Sequence, residues 1–130
     1  MRITHLAIWT NDLERLREFY CNYFGAISNE KYFNPVKQFS SYFLTFENDG
    51  CSIELMNKPH LDHPDNQGLK HETGLAHLSF SVGSKEKVDL MTEQFRKSGH
   101  NIIGEPRYTG DGFYESVITD PDGNIVEITI

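Results

Sequence analysis

Residues 73–82 read TGLAHLSFSV, and residues 3–9 read ITHLAIW. Both runs alternate, and both carry a histidine near the start. In the later run Ala76, Leu78, Phe80 and Val82 form one apolar face, and Leu75, His77, Ser79 and Ser81 form the other. In the earlier run Leu6 and Ile8 lie on one side, with Ile3, His5, Ala7 and Trp9 opposite. A lone histidine in a strand is ordinarily a structural residue. Two of them at matching places ask for a shared explanation, and the segments that follow each run supply it.

After the first run comes NDLERLREFYCNYFG, with apolar residues at Leu13, Leu16, Phe19, Tyr20, Tyr23 and Phe24. That spacing is helical, with Asn11 or Thr10 as the expected N-cap and Gly25 as the stop. Two strand-like runs follow, AISNEKYF and SYFLTF, and the turn ENDG leads into CSIELM. After the second run, Ser84 to Ser98 carries Val88, Met91 and Phe95 at helical spacing before Gly99. NIIGEPRY, FYESVITD and, past the turn DPDG, NIVEITI then complete it. The order is β-α-β-β-β both times. His77 follows His5 by 72 residues, while Gly123 follows Gly50, and Glu127 follows Glu54, by 73. The chain is therefore expected to be one α+β domain over residues 1–130, made of two tandem β-α-β-β-β modules. Module 1 covers about 1–57, a polar linker rich in Pro and Gly covers 58–73, and module 2 covers about 74–130.

Composition narrows the function. With 130 residues, 38% hydrophobic and 24% charged, the chain has the make-up of a soluble globular unit. Its net charge of −7, with no basic stripe, argues against nucleic acid and anionic membrane surfaces as partners. Cys21 and Cys51 share no metal or redox spacing and read as free thiols. MRITHLAIW enters a strand pattern directly, and no apolar run approaches membrane-spanning length, so a cytoplasmic location is expected.

The duplication also pairs Glu54 with Glu127. In SIELM, Ile53 and Leu55 share a face and Glu54 points the other way; in NIVEITI, Val126, Ile128 and Ile130 share a face and Glu127 points away. The apolar faces can cover helices, which leaves His5, Glu54, His77 and Glu127 on the opposite faces. A carboxylate withdrawn from water needs a partner or a cation. Two His–Glu ion pairs would serve, and so would one divalent metal held by all four groups. Two nitrogens and two oxygens suit Ni, Zn, Co, Mn or Fe, and octahedral geometry leaves two positions open. One such pair would be weak evidence; the same pair twice favours the metal.

These features resemble the vicinal oxygen chelate superfamily, which includes glyoxalase I, epimerases, extradiol dioxygenases and bleomycin-resistance proteins. GLAHLSFSV and DPDGNIVEI are the most specific pieces, and the resemblance covers essentially the whole chain. It implies a cupped, partly open mixed sheet around a metal cleft, and a homodimer. The set His5, Glu54, His77 and Glu127 is most similar to that of bacterial glyoxalase I. That implies one divalent metal per site, with Ni, Zn or Co foremost and Mn or Fe as further options. It also implies a lyase acting on the hemithioacetal of a thiol and a 2-oxoaldehyde through a metal-stabilised enediolate. The resemblance assigns proton transfer to Glu127, with Glu54 as the alternative.

Two departures bear on the substrate. Many glyoxalases have an arginine four residues after the first histidine, where this chain has Trp9, and the loop YTGDGFYES lacks the lysine some of them place there. Trp9 and Arg107 are the candidate residues of the substrate cleft. His60, His63 and His71 fall in the linker and read as solvated, His100 reads as exposed, and Phe39, Tyr42 and Phe43 read as core or pocket aromatics. Two rival functions remain open. An Fe(II) dioxygenase would need only two His and one carboxylate, and a binding protein for a small molecule or antibiotic would need no catalysis.

Overall fold

The protein is described from a computed structural model, which defines residues 5–47, 50–59, 61, 75, 77–110 and 112–130. It divides into two compact units, Met1–Asp65 and Asn66–Ile130.

In the first unit, β1 (His5–Trp9) leads through α1 (Leu13–Phe24) to β2 (Ile27–Ser28), β3 (Tyr32–Asn34), β4 (Phe39–Thr45) and β5 (Ser52–Asn57). The sheet order is β1-β5-β4-β2, with β3 also on β4. In the second unit, β6 (Leu78–Ser81) leads through α2 (Lys85–Lys97) to β7 (Ile102–Tyr108), β8 (Tyr114–Thr119) and β9 (Ile125–Thr129), in the order β6-β9-β8-β7. In each unit the first strand lies parallel to the last, β1 on β5 and β6 on β9, and the remaining pairs are antiparallel. The duplication legible in the sequence is thus a duplication of topology. Each unit has its own mixed sheet, so the α+β architecture comprises two sheets.

The helices form where the apolar spacing put them. Leu13, Leu16, Phe19 and Tyr20 of α1 are buried, as are Val88, Thr92 and Phe95 of α2. They meet the apolar strand faces: Ile8, Leu44, Ile53 and Leu55 in one unit, Leu78, Ile118, Val126 and Ile128 in the other. Full burial of each such side chain contributes about 1.5–3 kcal/mol. Polar contacts fix the same faces. Tyr42 Oη donates to Glu14 on α1 at 3.0 Å, and Tyr114 Oη donates to Asp89 on α2 at 2.7 Å.

Four details differ from the expectations. The N-cap of α1 is Asp12, whose Oδ1 accepts from the Arg15 backbone N–H at 3.1 Å, in place of Asn11 or Thr10. Thr10 Oγ1 instead accepts from the Asp12 backbone N–H. The run AISNEKYF is two short strands, because Asn29 Oδ1 accepts from the Phe43 backbone N–H at 2.7 Å and interrupts the ladder. Strand β6 begins at Leu78, so His77 stands just before it. His100 is not exposed: it packs edge-on against Phe95, with ring centroids 5.4 Å apart. Parts of ENDG and the linker histidines His60, His63 and His71 lie outside the described residues. Among the described residues, no helix is long and apolar enough to cross a membrane.

Candidate functional site

Alternation leaves one face of each sheet without a helix, and the candidate residues stand there. Glu54 lies in the middle of its sheet, opposite Ala7 on β1 and Phe43 on β4. Glu127 holds the same place in its own sheet, opposite Ser79 on β6 and Val117 on β8. His5 is two residues before Ala7, and His77 is two residues before Ser79. Both histidines therefore reach their glutamates along the same diagonal of a parallel strand pair, on one face.

The resulting distances are 4.0 Å from His5 Nε2 to Glu54 Oε2 and 3.3 Å from His77 Nε2 to Glu127 Oε2. Accessibility repeats as well: both imidazoles are 43% exposed, and the carboxylates are 17% and 20% exposed. Each carboxylate is drawn in beneath an imidazole that reaches solvent. The 3.3 Å separation is a close contact, whereas 4.0 Å is too long for a hydrogen bond. His5 is set further by Phe43, whose ring meets it edge-on at 5.4 Å.

The donors suit a divalent cation. Each unit offers one imidazole nitrogen and one carboxylate on its open face, half of an N2O2 set. Within either unit, no third His, Cys, Asp or Glu joins the pair among the described residues.

The two cleft candidates fall on the same faces. Trp9 is 46% exposed, with Phe39 edge-on at 6.2 Å and Lys58 Nζ 4.9 Å from its ring centroid. Tyr32 packs on Phe39 at 6.2 Å and extends this aromatic surface. Arg107 stands opposite Glu115 on β8, with Nη2 3.4 Å from Glu115 Oε1. The sequence reading passed over Glu115 and Lys58. Alternation in FYESVITD places Glu115 opposite the face of Tyr114 and Ser116, a usable signal; nothing local pointed to Lys58 above Trp9.

The chain is similar to known proteins over essentially its whole length. A family model described as Glyoxalase/Bleomycin resistance protein/Dioxygenase superfamily matches residues 2–128. The uncharacterized protein YqjT of Bacillus subtilis (strain 168) is 29% identical over 129 residues, covering 95% of this chain and 94% of its own length. Lactoylglutathione lyase GLX1 of Arabidopsis thaliana is 29% identical over 133 residues, and the match spans 98% of this chain but 43% of the plant protein. The crystal structure of glyoxalase I from Zea mays superposes with a TM-score of 0.79 at 26% identity, over 98% of this chain and 44% of the maize chain. This chain thus spans less than half the length of those two plant proteins.

Proposed function

The chain belongs to the glyoxalase/bleomycin resistance protein/dioxygenase superfamily, and on that premise we propose that it is a metal-dependent lyase of the glyoxalase I type. Its substrate would be the hemithioacetal of a 2-oxoaldehyde and a thiol, and its product the 2-hydroxy thioester. One observation carries the reading: the His–Glu pair occurs twice, at the same register and with the same exposure. In both units the imidazole is open to solvent, which leaves the pair accessible to a ligand.

His5 Nε2, Glu54, His77 Nε2 and Glu127 would hold the metal, assembled from one copy of each unit, either within one chain or across a homodimer. Bound there, a divalent ion supplies Lewis-acid polarisation of the substrate oxygens. Glu127 acts as the base: its carboxylate takes the proton from the carbon bearing sulfur and returns it to the neighbouring carbonyl carbon. Glu54 is the alternative carrier. His77, 3.3 Å from Glu127, orients that carboxylate. Partial withdrawal from water keeps the transferred proton from exchanging with solvent. The plant relatives support this reaction class, and their greater length leaves the thiol open.

The test is elemental analysis of the purified chain, before and after chelation and re-addition of Ni, Co, Zn, Mn and Fe(II), with thioester formation assayed in parallel. About one metal per chain, and turnover restored by Ni, Co or Zn, is the expected result. Iron-selective oxygen uptake with a catechol would replace this reading with a dioxygenase. No metal under any condition would make the cleft a binding site built on two ion pairs.

A further inference from the structure

The two units repeat the His–Glu pair, yet the residue beside each glutamate on the neighbouring antiparallel strand differs. Phe43 on β4 stands opposite Glu54, and Val117 on β8 stands opposite Glu127. These places are equivalent, each in the strand that precedes the glutamate's own. Directly opposed residues share a face, so both side chains lie on the open face with their pair. One unit sets an aromatic ring there, the other a small aliphatic group.

That ring touches the candidate ligand. Phe43 meets the His5 imidazole edge-on, with ring centroids 5.4 Å apart and planes at 74°. Edge-to-face packing is a favoured arrangement of two such rings, and it fixes the plane of each. Phe43 is in turn held at its backbone. Asn29 Oδ1 accepts from the Phe43 N–H at 2.7 Å, and the Asn29 N–H donates to the Phe43 carbonyl at 3.1 Å. Asn29, just past the end of β2, thus grips both backbone groups of the residue that meets His5.

The second unit is built otherwise. Gly104 on β7 stands opposite Val117, and a Cβ added to it would lie 3.0 Å from Val117 Cγ2. Val117 therefore packs over Gly104, and it has no ring to offer His77. The pair distances follow the same division. His77 stands 3.3 Å from its glutamate, whereas His5, beside the phenyl ring, stands 4.0 Å from its own, beyond hydrogen-bond range.

We propose that Phe43 is the positioning residue of the first unit's half of the metal site, holding the His5 ring in one orientation before the ion arrives. This rests on the metal-dependent reading and adds to it a residue that is no ligand. The two halves then differ in kind: His5 is oriented by an aromatic ring, His77 by its glutamate. A ligand already held in place loses less freedom when the ion binds, so the orienting group raises affinity without touching the metal.

The test compares Phe43→Leu and Phe43→Tyr with the wild-type full chain, by NMR of the metal-free protein and by calorimetric titration with Zn(II) alone. The carbon-bound ring protons of His5 are expected to carry a ring-current shift that Phe43→Leu removes and Phe43→Tyr keeps, while those of His77 stay unchanged. Zinc affinity should fall about 10-fold in Phe43→Leu and return near the wild-type value in Phe43→Tyr. A general packing role would shift the resonances of both histidines, and that result overturns the proposal. Wild-type zinc affinity in Phe43→Leu keeps the metal-dependent reading and removes the role of Phe43. A chain that shows the His5 shift but binds no zinc, nickel or cobalt removes the metal-dependent reading, and the positioning role falls with it.

Discussion

His77 Nε2 lies 3.3 Å from Glu127 Oε2, closer than the 4.0 Å between His5 Nε2 and Glu54 Oε2 in the other unit. The donor types and the register are shared, but the spacing is not. Under the proposed mechanism, Glu127→Gln keeps an oxygen donor and the fold but loses the base. It should retain much of the metal, measured by elemental analysis, while turnover falls by about 100-fold or more. His77→Ala should lower metal content itself. Full activity in Glu127→Gln would transfer the base role to Glu54 or end it.

Trp9 is the sole tryptophan, and it stands on the open face two residues from Ala7, the neighbour of Glu54. Its emission therefore reports on that face alone. Saturating with a thioether product analogue should shift or quench the fluorescence, and Trp9→Phe should remove the signal while leaving metal content unchanged. An emission spectrum indifferent to bound ligand would place the ligand away from Trp9.

Thr92 Oγ1 lies 2.7 Å from both the Val88 carbonyl oxygen and Ser116 Oγ, all buried between α2 and β8. Thr92→Val keeps the shape but leaves the Ser116 hydroxyl without that partner. The expected loss is about 1–3 kcal/mol in denaturant unfolding. A loss of only about a few tenths of a kcal/mol would mean that Ser116 finds another partner.

Burial beside Phe95 holds the His100 imidazole below its usual range. The folded state therefore resists protonation while the unfolded chain protonates normally, near 6.5. The stabilising contribution is complete above that value and is lost progressively as pH falls from it toward the depressed folded value. Unfolding midpoints at about pH 7.5 and pH 5.5 should differ more in the wild type than in His100→Gln. Equal differences would mean that His100 titrates alike in both states.

Much of this protein could be read along the chain. Alternation assigned His5, Glu54, His77 and Glu127 to faces away from the helices, because side-chain direction in a strand has a period of two and needs only local information. Duplication then linked the four, since residues at equivalent places in a repeat inherit equivalent surroundings. The helices followed from apolar spacing in the same way. The misjudged cap is instructive: Thr10, Asn11 and Asp12 can all cap, and which one does so depends on where the chain leaves β1.

Other features had no local signature. His100 looked exposed because it follows a helix-ending glycine, yet Phe95 one turn earlier covers it. Lys58 lies over Trp9, 49 residues away in sequence, because β1 and β5 run side by side. The sequence by itself determined the two-module plan and the placing of the four residues on the faces away from the helices, as both depend on periodicity and repetition. Only tertiary structure decided that Arg107 stands level with Glu115, in the row next to Glu127. The partner of a strand residue is set by the register of the whole ladder; Gly104 and Pro106 mark β7 as irregular, but only the ladder shows that its two irregularities move the register by two residues.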